Sequence, residues 1–384
     1  MRICLVYDCL FPWTVGGAER WYRNLAERLA AEGHDVTYLT MRQWAAGDPP
    51  AIDGVRVVAV APRMALYSGP GERRVAPPVV FGAGVLWWLA RHGRSFDVVH
   101  TASFPYFSLL AAALARPLGR YRLVVDWHEL WTRAYWRSYL GPAGGRVGWL
   151  VQKACLRVRQ RAFCFAQLTA GRLRAEGIRG EVTVLEGEYA GSLTPGPPEP
   201  RSSDPVVVFA GRHIAEKNAV AAVAAIAHAR TSIPELRGVI FGDGPERANV
   251  LAAVAEHGLS SVVEVPGFVD HAVLDAALAS ALCLLHPSRR EGYGLVVVES
   301  SAAGVPVVLA AGEDNAATEL VEQGVNGFIA PTASPEDLAA AIVRVHAEGD
   351  ALRASTADWF ARNARRLSID ASLEVVAASY TPDP

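Results

Sequence analysis

Short apolar runs that empty into glycine turns and are followed by helical patterns recur along most of the chain, and the series starts afresh once. Such alternation prescribes parallel strands joined by right-handed crossovers, because a strand–helix–strand unit packs back onto its own sheet in that hand. Arg2–Asp8 is a β-rich run, CLFPWTVGGAE a loop, and Ala18–Glu32 an amphipathic helix with Trp21, Leu25 and Leu29 on one face, closed by Gly33. Strands follow at Asp35–Thr40, Val55–Val60, Phe96–Thr101 and Tyr121–Glu129, with a helix at Ser108–Ala115 and a short late strand at Val182–Leu185. The apolar stretch Val75–Ala90 reads as a buried helix with a loop before it, and Gly145–Ala166 reads as helix.

From Ser192 to Pro205 the sequence SLTPGPPEPRSSDP reads as a linker, after which the pattern restarts. PVVVFAGR, RGVIFGDG, VVEVPGFV, LCLLHPS and VPVVLA are strands running into turns. Helices are expected at Asn218–Ala229, Glu246–His257, LDAALASA, Leu295–Ala303 and Pro335–Glu348, and a short strand at Val325–Ala330. The expected fold class is therefore α/β, with two Rossmann-like domains facing across a cleft. The first covers 1–191, the linker 192–205 and the second 206–356. The helical tail 357–384 either extends the second domain or crosses back to the first. Ligands of such sheets bind beyond the carboxyl ends of the strands.

Composition excludes several classes. The formal net charge is −2 over 384 residues, which disfavours nucleic acid as a partner of the whole protein. The five cysteines form no CxxC pair and read as reduced core thiols of a cytoplasmic protein. The start, MRICLVYDCL, lacks the pattern of a signal peptide, and Val75–Ala90 is too short to span a bilayer. Only two of the basic residues are lysine, Lys153 and Lys217, so their positions carry weight.

One lysine falls in AGRHIAEKN, where a buried strand meets a glycine turn and a helix begins near Asn218. Helix starts favour anions, and Arg212 and Lys217 flank this one with the fork and the point charge that suit phosphate oxygens. Read alone, the same turn is equally an ordinary surface turn with two cations. A second stretch, PSRREGYGLVVVE, places Glu291 in a loop and Glu299 inside the following helix, eight positions on. Carboxylates accept hydroxyl hydrogens such as those of a ribose or hexose, and the glycines between let backbone approach a ligand. The apolar surroundings of Glu299 argue against a merely solvated helix glutamate.

GRHIAEKN, GDGPE, VPGFV, PSRREGYGLVVVES, AAGVPVV and NAATELVEQGVNGFIAP follow in this order over Gly211–Pro331. That series resembles the retaining GT-B glycosyltransferases of family 4, the group 1 glycosyltransferases. Gly16 and Gly17 look like the family's amino-terminal glycine loop, and His128 like its acceptor-side histidine. The resemblance covers most of the chain and is weakest between Met41 and Phe96. It implies a hexosyltransferase that uses a nucleotide diphosphate sugar and retains anomeric configuration. By that resemblance Arg212 and Lys217 clamp the donor diphosphate, and Glu299 binds the ribose. Glu291, with the backbone of Gly292, Tyr293, Gly294 and Leu295, holds sugar and phosphate. Gly211, Gly242, Gly244, Phe268 and Val269 line the nucleotide pocket, Gly16 and Gly17 approach the diphosphate, and His128 sits beside the sugar. The sequence departs from the family pattern at Tyr293, where phenylalanine is usual, at Glu129, where aspartate often follows the histidine, and at AGED, where a glycine pair usually stands.

No DxD motif is present, so cations and helix N–H groups are the expected stabilisers of the leaving group; neither metal nor cofactor is expected. The acceptor is a glycan, a lipid-linked molecule or a small molecule. The segment 116–174 holds twelve basic and two acidic residues, interleaved with Trp127, Trp131, Tyr135, Trp136, Tyr139 and Trp149, a composition that suits an anionic membrane surface and equally a solvated face around an aromatic pocket. The expected location is cytoplasmic, peripheral on the inner face of the cell membrane if that surface is used. The rival readings are a catalytically silent nucleotide-sugar-binding protein and a related two-domain enzyme such as an epimerase or a phosphorylase. A dehydrogenase would want GxGxxG after the first strand, and VYDCLFPWTVGGAE lacks it.

Overall fold

Strands covered by helices on both faces need apolar side chains on both, and VVVFA and VVLA meet that demand without alternation. The computed structural model describes residues 1–14, 16–45, 50–66, 74–194 and 204–381. The chain divides into two compact units, one of Met1–Glu186 with the chain from Ser372 onward, the other of Gly187–Ala371. The expected linker lies mostly outside the described residues.

The first unit runs β1 (Arg2–Val6), α1 (Gly17–Ala31), β2 (Asp35–Met41), β3 (Val55–Ala61), α2 (Ala76–His92), β4 (Val98–Ala102), α3 (Phe107–Gly119), β5 (Arg122–Trp127), α4 (Arg133–Leu156), β6 (Gln160–Cys164), α5 (Gln167–Ala175) and β7 (Gly180–Val184). Its seven strands form one parallel sheet in the order β3-β2-β1-β4-β5-β6-β7. Phe81, Val85 and Leu89 of α2 and Leu109 and Ala112 of α3 pack with Cys4, Val6, Val99, Leu123 and Val125 of the strands in one core. Beneath the sheet's carboxyl edge lies a buried polar centre. Asp126 accepts from Trp21 Nε1 at 2.8 Å and lies 2.8 Å from His100 Nε2, and His100 Nδ1 is 2.5 Å from the hydroxyl of Tyr380 in the tail.

The second unit runs β8 (Val206–Ala210), α6 (Ala219–Ala229), β9 (Arg237–Phe241), α7 (Arg247–Glu256), β10 (Val263–Gly267), α8 (His271–Ala279), β11 (Cys283–His286), β12 (Arg290–Glu291), α9 (Leu295–Ala302), β13 (Val307–Ala310), β14 (Asp314–Asn315), β15 (Gly327–Ala330) and α10 (Pro335–Leu367). Its main sheet is parallel, in the order β10-β9-β8-β11-β13-β15, and β12 pairs with β14. This is the doubly wound order of nucleotide-binding folds. Gly349, at φ 62° and ψ −138°, kinks α10 just after the expected helix end at Glu348. The boundary between the units falls inside α11 (Ile369–Ala378).

Two expectations fail. Gly145–Ala166 is not one helix: α4 starts twelve residues earlier, at Arg133, and stops at Leu156, and QRAFC is a buried strand between β5 and β7. A short apolar run flanked by helix formers carries no period that separates strand from helix, and pairing with β5 decides it. The Val75–Ala90 helix exists as α2 but is buried on one face only; Val79 and Trp87 are exposed on the other.

Three carboxyl-edge turns of the second unit interlock through glycine. Gly242, at φ 116°, donates its N–H to Gly267 O at 2.8 Å, and a Cβ placed on it would lie 1.8 Å from Gly211 O. Gly258 has φ 67° and open space around it. Gly242→Ala should therefore cost about 2–4 kcal/mol, clash added to strain, and Gly258→Ala only about 1–2 kcal/mol of strain, read as midpoints of urea unfolding. Equal losses would contradict the interlock.

Candidate functional site

The strand order reverses between β1 and β4 in the first unit and between β8 and β11 in the second. At a reversal the loops after two neighbouring strands leave towards opposite faces, and the crevice between them is where open α/β sheets take ligands. The second unit's loops there are 211–218 and 287–294. They hold Arg212, Lys217 and Glu291.

Polar bonds tie these loops together. Arg289 N–H donates to Glu216 O at 2.9 Å, and Asn218, left-handed at φ 55° where it caps α6, donates its side-chain amide to Pro287 O at 3.5 Å. From the other side Asn315 donates to Ser288 O at 3.1 Å and to Ala310 O at 2.9 Å, and β12 pairs with β14. Between them Lys217 Nζ donates to Glu291 Oε2 in an ion pair whose side chains are 19% and 13% exposed. His286 Nε2 stands 2.8 Å from the same carboxylate oxygen and 3.2 Å from Ser288 Oγ. The imidazole Nδ1 is buried without a partner, so the proton belongs on Nε2, from which it donates to Glu291. Burial alone would push the Glu291 carboxyl up. Lys217 and the His286 hydrogen bond outweigh burial and hold it well below the usual carboxylate range.

The other expected residues fall as follows. Arg212 is exposed, and its guanidinium makes no hydrogen bond or ion pair with the described residues. Gly211, Gly242 and Gly244 line the interlocked turns; a Cβ on Gly244 would meet His213 O at 2.5 Å. Gly294, at φ 102°, caps α9, and Ala317 lies 2.7 Å from where its Cβ would be. Gly292 and Leu295 are half-buried and Tyr293 is buried. Glu299, on α9, lies 3.9 Å from His271 Nε2, with its side chain 15% exposed. Val269 is half-buried, whereas the Phe268 ring is 72% exposed.

Gly16, Gly17 and His128 lie in the first unit. Gly16 caps α1 with extended backbone, φ −172°, and a Cβ there would meet Glu19 Oε2 at 2.4 Å; Gly17 starts the helix. His128 stacks on Phe165 at 4.8 Å, and its buried Nε2 has no partner. Burial lowers its pKa against the opposing pull of Asp126 and Glu129, so the ring is neutral at pH 7.

The aromatics of 116–174 are divided between core and half-buried positions, the latter being Trp131, Tyr135, Tyr139 and Trp149. Trp127 and Trp136 are buried, and Gln152 Oε1 accepts from Tyr106 OH, Trp131 N–H and Trp136 Nε1 at 2.9–3.1 Å. Among the described residues no helix is long and apolar enough to cross a membrane, and no three His, Cys, Asp or Glu cluster as metal ligands.

Residues 195–366 match the family model described as glycosyl transferases group 1, and residues 15–186 the one described as glycosyltransferase family 4. The D-inositol 3-phosphate glycosyltransferase of Nocardioides is 30% identical over 92% of this chain and 82% of its own length. The chain belongs to the group 1, family 4 glycosyltransferases. The fold agrees. Sucrose-phosphate synthase of Thermosynechococcus elongatus superposes with a TM-score of 0.81 at 21% identity, over 99% of this chain and 98% of that one. HepE of Anabaena, in complex with UDP-glucose, gives 0.72 at 17% identity over 99% of each chain. This glycosyltransferase thus has the two parallel α/β sheets of the GT-B fold.

Its sequence hid His286, Ser288 and Asn315. The one available signal was a histidine closing an otherwise apolar strand, LCLLH. A carboxyl whose folded pKa is depressed adds stability above its unfolded pKa and loses it as pH falls through the folded value. Glu291→Gln should lower stability at pH 7 by about 1–3 kcal/mol, with the gap from the wild type narrowing below about pH 4.3. Thermal unfolding at pH 7, 5 and 3 measures this; a gap that stays constant contradicts the ion pair's role.

Proposed function

We propose that this glycosyltransferase moves a hexose from a nucleoside diphosphate sugar to an acceptor hydroxyl, with retention of configuration and without a metal ion. The Lys217–Glu291 pair, fixed between the two loops of the sheet's reversal point, carries this reading. HepE, a structural neighbour, was solved with UDP-glucose, which supports the donor class.

In the proposed reaction the bond between the anomeric carbon and the phosphate oxygen breaks while the acceptor oxygen bonds to that carbon from the same face. The acceptor proton goes to the leaving phosphate. Negative charge grows on the diphosphate, and fixed positive charge at that place lowers the barrier. Arg212 and Lys217 supply it, with the first-turn N–H groups of α9. Glu291, kept ionised, accepts hydroxyl hydrogens of the sugar, and Glu299 those of the ribose. Gly16 and Gly17 bring backbone to the diphosphate, while the backbone around Gly211, Gly242, Gly244, Phe268 and Val269 receives the nucleotide. Neutral His128, with an unclaimed Nε2, offers one hydrogen-bonding atom to the sugar.

A thermal-shift screen of UDP-, GDP- and ADP-sugars should give a rise with one of them, because a ligand that binds only the native state raises the melting temperature. With that donor, Arg212→Ala/Lys217→Ala should lower kcat/KM by about 10³-fold or more, as removal of charge stabilisation from a leaving group does. The free double variant should melt at a lower temperature, because Lys217→Ala leaves the Glu291 carboxylate without its cation, so turnover is compared well below that midpoint; EDTA should leave turnover unaltered. Full activity of the double variant refutes the assignment, and loss of activity in EDTA refutes metal independence.

The acceptor is proposed to be a glycan, a lipid-linked molecule or a small molecule. Peripheral contact of a cytoplasmic enzyme with an anionic membrane belongs to the same proposal, supported by the exposed arginines of 116–174 beside exposed Leu118, Val147 and Leu150. Flotation with liposomes should recover the protein with anionic lipid and not with neutral lipid; recovery with neither removes the membrane.

A further inference from the structure

The helix α4 is folded back on itself. Gly141, at φ 72° and ψ −178°, interrupts it, and the second half begins with Pro142, whose fixed φ suits a first turn. The halves cross so closely that only glycine fits. A Cβ on Gly145 would lie 2.4 Å from Trp136 O, and one on Gly148 would lie 2.4 Å from the Trp136 ring.

At this crossing opens a surface cleft of about 860 Å³, lined by Arg133, Ala134, Arg137, Ser138, Pro142, Gly145 and Arg146. Three guanidinium groups line it and no acidic residue does. Arg137 and Arg146 are exposed and make no hydrogen bond or ion pair with the described residues. Arg133 lies over the Trp149 ring, its guanidinium carbon 5.2 Å from the ring centre, and its side chain makes no hydrogen bond or ion pair with the described residues. The two acids of 116–174 and the next along the chain are engaged elsewhere: Asp126 with His100, Glu129 with Trp131, Glu176 with Lys153. Three like charges kept together without a counter-ion repel one another, and a multiply charged anion relieves that repulsion. Arginine forks match phosphate oxygens in pairs, and Ser138 adds a hydroxyl. Leu140, Val147 and Leu150 are exposed apolar residues on the same two half-helices, Val147 and Leu150 one turn apart.

We infer that this cleft binds the phosphate head of an amphiphile, with its apolar part against Leu140, Val147 and Leu150. The inference deepens the acceptor side of the function proposed above and takes from it only the ligand's role as acceptor. Anion binding itself is measured without turnover.

The test titrates the full chain by calorimetry with dodecyl phosphate below its micelle concentration, with inorganic phosphate, and with uncharged dodecyl maltoside. Dodecyl phosphate should bind saturably, one per chain, at least tenfold more tightly than either of the others. Arg137→Gln/Arg146→Gln should weaken it at least tenfold. Arg157→Gln/Arg159→Gln, which removes the same charge from exposed arginines outside the cleft, should weaken it less than twofold. Equal weakening in both pairs, no saturable binding, or equal binding of either other probe overturns the inference. In all variants the thermal shift given by the nucleotide sugar should stay as in the wild type. A failure here with that shift intact is therefore distinct from failure of the donor assignment.

Discussion

A carboxylate withdrawn from water has to be met by a cation or by hydrogen bonds, and Glu291 is met by both. Its partners come from separate places in the chain: Lys217 from the loop after β8, His286 from the end of β11. They meet because β8 and β11 are neighbours at the point where the strand order reverses. Backbone then holds what charge has chosen. Arg289 N–H on Glu216 O and the β12–β14 pair fix the loop that carries Glu291 from two sides. A cation held this way does not have to be assembled when a ligand arrives, and preorganised charge of this kind is the largest contribution in many transferases.

The parts legible in the sequence are those in which local pattern and tertiary demand agree. VVVFA and VVLA need cover on both faces and say so, and Lys217 and Glu291 are legible because they follow the apolar runs VVVFA and CLLH. The parts that were not legible depend on a partner far away. QRAFC is a strand because β5 and β7 lie on either side of it, and β12 and β14 are two residues each, too short for any period. His286 reads as the mere end of an apolar run, since nothing near it announces that Glu291 lies within reach of its Nε2. The basic and aromatic character of 116–174 was visible, but not its division. Gln152 bonds the indole of buried Trp136 and the backbone N–H of Trp131, while Arg133, Arg137 and Arg146 are exposed.

The first unit meets the same constraint with different chemistry. Burial alone would raise the Asp126 carboxyl, and His100, His128 and Trp21 bring it below its usual range instead. Tyr380, from the far end of the chain, completes the cluster by bonding His100. Beside this cluster the Nε2 of a neutral His128 is buried without a partner. His128 follows β5 as a neutral polar group, whereas the loops after β8 and β11 hold a fixed ion pair.

The two cations proposed for the diphosphate are not equivalent. Lys217 is already paired with Glu291, so together they bring no net charge to the loop. Lysine has three N–H donors, and a phosphate oxygen can take one while the carboxylate keeps another. What Lys217 offers is therefore a donor at a fixed point. Arg212, exposed and without a partner among the described residues, is the group whose whole charge remains available. The proposed leaving group gains negative charge as the sugar departs, and an uncancelled cation responds to that gain more strongly than a pair does. On this argument Lys217 sets where the diphosphate lies and Arg212 lowers the energy of its departure.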